Sequence, residues 1–245
     1  MIAMLGMYDR PETAASNDRL WQAIRDHLGY GPSKLTRDCD FWEIWESPDL
    51  LFAQTCGMPY RTRLHRQVQL VGTPDYGLPD CPAGHYYSVF VTHVDVSQAT
   101  LADLCEGTFA YNEPVSQSGW AAPQYHLAKM GLAPGKKIQS GAHYLSARAV
   151  AEKQADFASL DALTWELIQR YDDFAKSLHV VARTTPTPTL PYITGPRQNA
   201  TEIRTAVAKA IADLSLKDRA ILGLQQLVEI PASAYLAVPS PPPPV

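Results

Sequence analysis

The chain has 245 residues, of which 46% are hydrophobic and 19% are charged, and its formal net charge is −4. This composition provides one large domain or two lobes with an ordinary hydrophobic core. The acidic balance and the lack of a Lys/Arg run exclude the basic surface that a nucleic-acid partner requires. No apolar stretch approaches the roughly 18 residues of a membrane span. The apolar run at 2–7 is too short, and lacks the basic flank, for a signal peptide.

Four cysteines are scattered along the sequence, and neither their spacing nor that of the histidines fits a zinc site. We therefore expect no metal and no cofactor. One disulfide remains an alternative to four free thiols, because a bridge from Cys56 to Cys81 would pin the loop around Cys81. The other two cysteines are Cys39 and Cys105.

The first part of the chain alternates strand and helix patterns. The apolar run at 2–8 predicts a buried strand, and apolar residues at helical spacing predict a helix from 16 or 17 to 28, capped by Asn17. The further predicted elements are strands at 35–37, 50–54 and 67–72, a helix at 41–47 and a long loop at 73–84.

A second alternation begins at Tyr86 and ends before a segment with three prolines at 184–191. Because proline removes a backbone donor and fixes φ, that segment predicts a stiff extended crossing between two bodies. The predicted strands are 86–92, 108–112, 137–140, 155–161, 179–183 and 192–194. The predicted helices are 101–104, 118–130, 142–153, 164–171, 201–214 and 217–222, and 228–236 is expected to be weakly structured.

This pattern predicts an α/β fold of mostly parallel sheets, with ligands at the carboxyl ends of strands. We place lobe 1 at 1–85 plus 185–238 and lobe 2 at 86–184. Residues 239–245 are predicted to be a disordered proline-rich tail. A solvated terminus is the preferred interpretation of this tail, and a ligand for an SH3-like partner is the alternative.

The stretch at 109–120 is the most informative part of the sequence, because it reads as a strand, a turn and a helix start. Ser116 suits a helix N-cap, and Gly119 permits a close approach of a ligand or backbone. The free N–H groups of a first helical turn attract anions. We therefore predict that Ser116, Gln117 and Ser118 form the floor of a site for a small oxyanion. An ordinary N-cap is the alternative for Ser116.

The residue types of a Ser-His-Asp triad are present, but neither Ser116 nor Ser118 lies in a G-x-S-x-G nucleophile elbow. We therefore expect a binding protein and not an enzyme. A signalling or structural module that has lost ligand binding is a third class. Only a binder would be stabilised by a small ligand.

Five strings carry a resemblance in the same order along the chain. They are LLFAQTCG at 50–57, VGTPDY at 71–76, AYNEPVSQSG at 110–119, SGAH at 140–143 and ADFASLDALTW at 155–165. They resemble the phosphate/phosphite/phosphonate-binding subunits of ABC importers, and the similarity covers 2–194. The resemblance implies a two-lobed type II periplasmic-binding fold, each lobe a mostly parallel sheet flanked by helices, with the ligand in a cleft between the lobes.

In that family a Ser-Thr-Ser helix start holds the oxyanion, and the matching positions here are Ser116, Gln117 and Ser118. The Gln117 amide is longer than a threonine hydroxyl but still donates, so the resemblance leaves the ligand open. The other matching positions are Tyr8 after the first strand, Gln54 and Thr55 in a polar turn, His143, and Asp161 at the end of a strand in lobe 2.

Each of these positions has a chemical role and a structural alternative. Asp161 would accept a hydrogen bond from a ligand that keeps a proton or carries an amine, or would only cap a helix. His143 would donate to the anion, or would be a capping or surface residue. Tyr8, Tyr86 and Trp165 would line the site around an organic substituent of the ligand, or would belong to the core.

The resulting hypothesis is a monomeric solute-binding protein that captures a phosphonate- or phosphate-like oxyanion for an ABC importer. The transporter permease is its protein partner by resemblance. The alternatives are another small organic solute (a sulfonate, an amine or a vitamin precursor) and a non-exported ligand sensor. The family is normally periplasmic, whereas this chain shows no signal peptide, so the cytoplasm is the alternative compartment.

Overall fold

A computed structural model describes residues 1–244 and divides into two compact units. Unit 1 comprises Met1–His85 and Pro188–Ala237, and unit 2 comprises Tyr86–Thr187 and the residues from Val238 onward. The chain therefore passes from one unit to the other three times.

Strands and helices alternate along both units. The strands are β1 (Ile2–Met4), β2 (Leu50–Gln54), β3 (Gln69–Asp75), β4 (His85–Tyr86), β5 (Ser88–His93), β6 (Thr108–Tyr111), β7 (Lys136–Gln139), β8 (Phe157–Asp161), β9 (Leu178–Arg183), β10 (Thr187–Pro188), β11 (Tyr192–Thr194) and β12 (Gln226–Val228). The α-helices are α1 (Pro11–Leu28), α2 (Phe41–Trp45), α3 (Gly57–Pro59), α4 (Leu101–Cys105), α5 (Ala122–Lys129), α6 (His143–Ala151), α7 (Ala162–Tyr171), α8 (Ala200–Asp213), α9 (Leu216–Leu222) and α10 (Ala232–Leu236). Shorter helical turns lie at Gly6–Tyr8, Tyr60–Leu64, Val94–Val96, Gln117–Ala121 and Asp173–Ser177.

Unit 1 is built on a five-stranded sheet in the order β1-β2-β11-β3-β12. The strands β1 and β2 are parallel, and β11 is antiparallel to both β2 and β3. β1, β2 and β3 therefore run in one direction and present their carboxyl ends at one edge. β2 is buried along its whole length, as expected for a strand covered on both faces.

Unit 2 is built on a second five-stranded sheet in the order β7-β6-β8-β5-β9. β6 is parallel to both of its neighbours, β7 and β8, whereas β5 is antiparallel to β8 and β9. The carboxyl ends of β7, β6 and β8 therefore lie side by side. Phe90, Phe109 and Phe157 are 0% exposed, and their packing provides the aromatic core beneath this edge.

Three element predictions for the N-terminal part of unit 1 differ from the structure. The strand predicted at 2–8 ends at Met4, and Gly6–Tyr8 form a helical turn. The first helix begins at Pro11 and not near Asn17, because proline at the first helical position needs no N–H partner and has a helical φ. The backbone N–H of Arg10 is instead satisfied by Thr13 Oγ1, at 3.0 Å. Residues 35–37 form no strand. The N–H of Thr36 donates to the carbonyl of Ala3 at 2.8 Å, and this single bond does not build a ladder.

The segment at 228–236, expected to be weakly structured, includes the last residue of β12 and the whole of α10. Strand β12 pairs with β3 through Gln226 opposite Asp75, and this pairing extends β3 beyond the predicted end at 72. In α10, Tyr235 is 1% exposed, and its hydroxyl donates to the carbonyl of Thr189 at 2.8 Å. These contacts join residues far apart in the sequence, so local periodicity did not reveal them.

Residues 239–244, which we call the proline segment, form neither helix nor strand, in keeping with their composition. The segment nevertheless has a fixed contact within unit 2, because the carbonyl of Pro242 accepts a hydrogen bond from Trp120 Nε1 at 2.9 Å. The expected solvated tail is therefore anchored at this point.

Candidate functional site

The helix start after β6 is formed as the sequence predicts. Ser116 is the N-cap of the helical turn Gln117–Ala121, which continues directly into α5. Its Oγ accepts a hydrogen bond from the N–H of Gly119 at 3.0 Å, so its own O–H proton remains available to donate. Ser116, Gln117 and Ser118 are 5%, 2% and 3% exposed. The first turn of a helix is the end that attracts anions, because its N–H groups point out of the helix.

His143 meets Ser118 at this helix start. Its Nε2 lies 2.7 Å from Ser118 Oγ, and His143 is the first residue of α6, which follows β7 after a short turn. The backbone carbonyl of Ser118 accepts a hydrogen bond from Ser159 Oγ in β8, at 2.8 Å. Ser118 is therefore fixed to two elements that are far from it in the sequence.

Burial of the imidazole nitrogens of His143 lowers its pKa from 6.5 to about 4, and a hydrogen bond with the backbone of Ser159 opposes this shift only in part. The residue is partly exposed, but its Nδ1 is buried. His143 is therefore neutral at physiological pH, and one ring nitrogen is a donor while the other is an acceptor. The sequence did not predict this, because burial of a nitrogen depends on the fold.

Asp161 ends β8 and caps the next helix. It is 2% exposed, and its Oδ1 accepts a hydrogen bond from the N–H of Thr164 at 3.0 Å. The capping role that the sequence left as an alternative is thus present, and its role towards a ligand stays a prediction. Tyr86 and Trp165 are 1% and 7% exposed, so most of each side chain is buried.

Sheet order explains why these residues gather. Ser116 and Ser118 follow β6, His143 follows β7 and Asp161 ends β8, and β6 lies between the other two strands. Their turns therefore meet at one edge of the sheet, where parallel strands present their carboxyl ends. This gathering is the arrangement that the alternation of strands and helices predicts.

Asn112 is a member of this site that sequence reasoning missed. Its Oδ1 is buried and has no hydrogen-bond partner among residues 1–244. A Cβ on Gly119 would lie 1.8 Å from this oxygen and 3.1 Å from Cε1 of His143. Gly119 thus admits the side chain of Asn112, whereas the sequence had suggested a ligand or a backbone. The available signal was the position of Asn112 directly after β6, at the start of the turn.

The three predicted residues of unit 1 also lie near one another. Tyr8 packs edge-to-face on Tyr76, with ring centroids 5.4 Å apart. Gln54 Nε2 donates to Tyr76 Oη at 3.0 Å and to the carbonyl of Leu190 at 3.1 Å. Thr55 is 0% exposed, and its Oγ1 has no partner in the described part of the chain. Tyr76 was not predicted, although it lies in the string VGTPDY.

The structure also bears on metals, disulfides and membrane spans. Within residues 1–244 no group of three or more His, Cys, Asp or Glu residues is placed to hold a metal ion. The four cysteines are free thiols. Over the same range, the helices are too short or too polar to cross a bilayer.

Solved structures with the same fold cover nearly the whole chain. PhnD1 from Prochlorococcus marinus in complex with methylphosphonate is 14% identical, with a TM-score of 0.74 over 96% of this chain and 94% of that chain. A binding protein component of an ABC phosphonate transporter from Pseudomonas aeruginosa is 18% identical, with a TM-score of 0.70 over 96% and 82%. XAC2383 from Xanthomonas citri bound to chloride is 15% identical, with a TM-score of 0.68 over 95% and 93%. These neighbours confirm the type II periplasmic-binding fold.

A search of curated protein sequences gave no match. A family model described as "ABC transporter, phosphonate, periplasmic substrate-binding protein" matches residues 49–235. This match covers most of the chain, including β2 to β12 and the helix start at Ser116. It confirms the resemblance drawn from the sequence strings. The chain belongs to the phosphonate-binding family of periplasmic substrate-binding proteins of ABC transporters.

Proposed function

We propose that unit 2 binds a small phosphonate- or phosphate-like oxyanion at the helix start formed by Ser116, Gln117 and Ser118. The observation that carries the proposal is the pair of buried serine hydroxyls, those of Ser116 and Ser118, at the first turn of this helix, the end at which helices bind anions. Membership of the phosphonate-binding family and the neighbour PhnD1, solved with methylphosphonate, support this ligand class.

The site would bind its anion with neutral donors. Ser116 is bonded to a backbone N–H, and Ser118 is bonded to an imidazole that is neutral at physiological pH. Such donors, together with the partial positive charge of the helix start, avoid the cost of burying a lysine or arginine. Affinity then depends on geometry more than on net charge.

Asp161 would restrict which ligands this site can bind. A buried carboxylate near the anion repels a fully deprotonated ligand but accepts a hydrogen bond from a protonated oxygen or an amine. We therefore propose that the ligand is a monoanion that retains one P–OH proton, or a phosphonate that carries an amino group.

We further propose that the protein delivers this ligand to the permease of an ABC importer in the periplasm, and that it is not an enzyme. The family description supports both statements. The prediction that the ligand lies in a cleft between lobes remains a prediction.

The first experiment is a thermal-shift screen of the purified protein. The compounds are phosphate, phosphite, methylphosphonate, 2-aminoethylphosphonate, sulfate, taurine, choline and thiamine. A melting temperature that rises with the concentration of one phosphorus oxyanion is the expected result. A rise only with taurine, choline or thiamine would contradict the proposed ligand class and favour another organic solute. No rise with any compound would contradict solute binding of these classes altogether.

Calorimetry on serine variants then locates the site. Ser116→Ala and Ser118→Ala should each weaken binding by at least about 1 kcal/mol, or about fivefold. Ser215→Ala is the matched control, because Ser215 caps α9 through the N–H of Asp218 at 3.0 Å, just as Ser116 caps its helix. Loss of either cap should lower the melting temperature, but only Ser116→Ala should lower affinity. Unchanged affinity in both site variants would exclude this anion site.

A further inference from the structure

The proline segment meets a buried indole of unit 2. Trp120 is 3% exposed, and its Nε1 donates to the carbonyl of Pro242 at 2.9 Å. Its ring also packs on Tyr111, the last residue of β6, with centroids 5.0 Å apart. The indole thus joins the proline segment to the core of unit 2.

This contact matters because an indole N–H is only a donor, and a buried donor left unpaired destabilises a protein. The acceptor of this N–H, the carbonyl of Pro242, lies in a segment that its prolines make stiff before it docks. A polyproline-like chain loses little conformational freedom on binding, and aromatic residues commonly recognise such chains. The sequence PSPPPP at 239–244 therefore suits this indole better than a flexible tail would.

Trp120 lies two residues after Ser118 in the same helical turn. Its backbone N–H donates to the carbonyl of Ser116 at 3.3 Å, and that of Ala121 donates to the same carbonyl at 3.0 Å. The side chain that holds the proline segment is therefore attached to the backbone that orients Ser116 and Ser118. A shift of the indole would be transmitted directly to these hydroxyls.

We infer that the proline segment is a latch that positions the anion-binding turn, with Trp120 as a positioning residue and the Pro242 carbonyl as its acceptor. This inference rests on the proposed function and deepens it, because it makes ligand affinity depend on residues 239–244. It assigns those residues a role within this chain, in place of the solvated tail that their composition suggests.

Two variants test the latch in different ways. One ends at Val238 and so lacks the proline segment, and the other is Trp120→Phe in the full chain, which keeps an aromatic ring but removes the N–H donor. Each should weaken binding of the phosphorus oxyanion found in the screen by about 3- to 10-fold, the range of a single hydrogen bond. Trp120→Phe should weaken binding no further when it is added to the truncated chain, because truncation has already removed the acceptor of this N–H.

Trp21→Phe is a matched control, because Trp21 is 1% exposed and its Nε1 also donates to a proline carbonyl, that of Pro32, at 2.9 Å. This variant loses the same kind of bond in unit 1, so it should lower stability without the coupling to the proline segment. Two results would overturn the latch: losses of affinity from truncation and from Trp120→Phe that add together, or unchanged affinity in both variants. In either case, a loss of affinity in Ser118→Ala would still support the anion site.

Hydrogen exchange tests the latch without any ligand. The amides of residues 117–121 should exchange faster in the variant that ends at Val238 and in Trp120→Phe than in the parent chain or in Trp21→Phe. Unchanged exchange in this turn would overturn the latch even if the oxyanion screen fails. Faster exchange together with a failed screen would support the latch and contradict only the proposed ligand.

Discussion

The imidazole of His143, whose Nδ1 is buried, makes the stability of unit 2 depend on pH in a predictable direction. Its pKa is about 4 in the folded protein, against 6.5 ordinarily. Between these values the unfolded chain binds more protons than the folded one, so stability falls as the pH falls from 6.5 towards 4. At about 1.4 kcal/mol for each pKa unit, the loss should reach about 3 kcal/mol at pH 4. Above pH 7 this contribution should be constant.

His143→Gln isolates the effect. The glutamine amide can still bond to Ser118, but it does not titrate. Urea unfolding followed at pH 7.5, 6.5, 5.5 and 4.5 should show the parent losing stability relative to the variant only below pH 6.5. His126, whose pKa burial also lowers, is present in both proteins and cancels in the difference. Parallel pH profiles, or an NMR titration midpoint of His143 near 6.5, would refute the reasoning.

Two further substitutions, each paired with a control, test the packing at the site and a buried carboxylate in unit 1. Gly119→Ala should destabilise the protein by about 1 to 3 kcal/mol and weaken oxyanion binding, because its Cβ would clash with Asn112 Oδ1. Gly57→Ala, whose Cβ would meet nothing nearer than 3.9 Å, should leave the urea midpoint nearly unchanged. Equal effects of the two would contradict the close approach. Asp218→Asn should cost about 1.5 to 3 kcal/mol, because hydrogen bonds from Arg19, Ser16 and Ser215 hold the pKa of that buried carboxyl well below its ordinary range. This contribution is present above the ordinary carboxyl pKa and is lost only in strong acid. Asp213→Asn changes an exposed contact, because the Asp213 side chain is 63% exposed and its Oδ2 lies 2.7 Å from Nε2 of His27, and it should cost less than about 1 kcal/mol. A loss at Asp213 as large as at Asp218 would contradict this ranking.

Local chemistry made much of the fold predictable. The strand at 50–54, the short helix near Trp45 and the helix start at Ser116 are set by neighbouring residues and were found at or near their predicted positions. Strand direction explains why Ser116, His143 and Asp161, which the family resemblance marks as site positions, lie in three turns at the carboxyl ends of β6, β7 and β8. The predictions of the strand, the short helix and the helix start use only periodicity and capping.

Three of the missed features share a different cause. Strand β12 exists because Gln226 pairs with Asp75, and the anchoring of Pro242 exists because Trp120 needs an acceptor. Both depend on partners more than 100 residues away in the sequence, so no local window contains the signal. The neutral state of His143 was missed for the same reason, since its desolvation is a property of the assembled unit.

The chemistry of the helix start also explains why the sequence indicates an oxyanion but leaves the ligand open. Hydroxyls and backbone N–H groups donate to any oxyanion, so they do not separate phosphate from sulfate. Discrimination must come from acceptors, and unit 2 places two buried ones near this turn, Asp161 and the Oδ1 of Asn112. An acceptor favours a ligand with a proton on oxygen and disfavours one without. Sulfate carries no such proton at neutral pH, whereas phosphate and phosphonate monoanions do. Among the oxyanions of the screen, sulfate should therefore raise the melting temperature least.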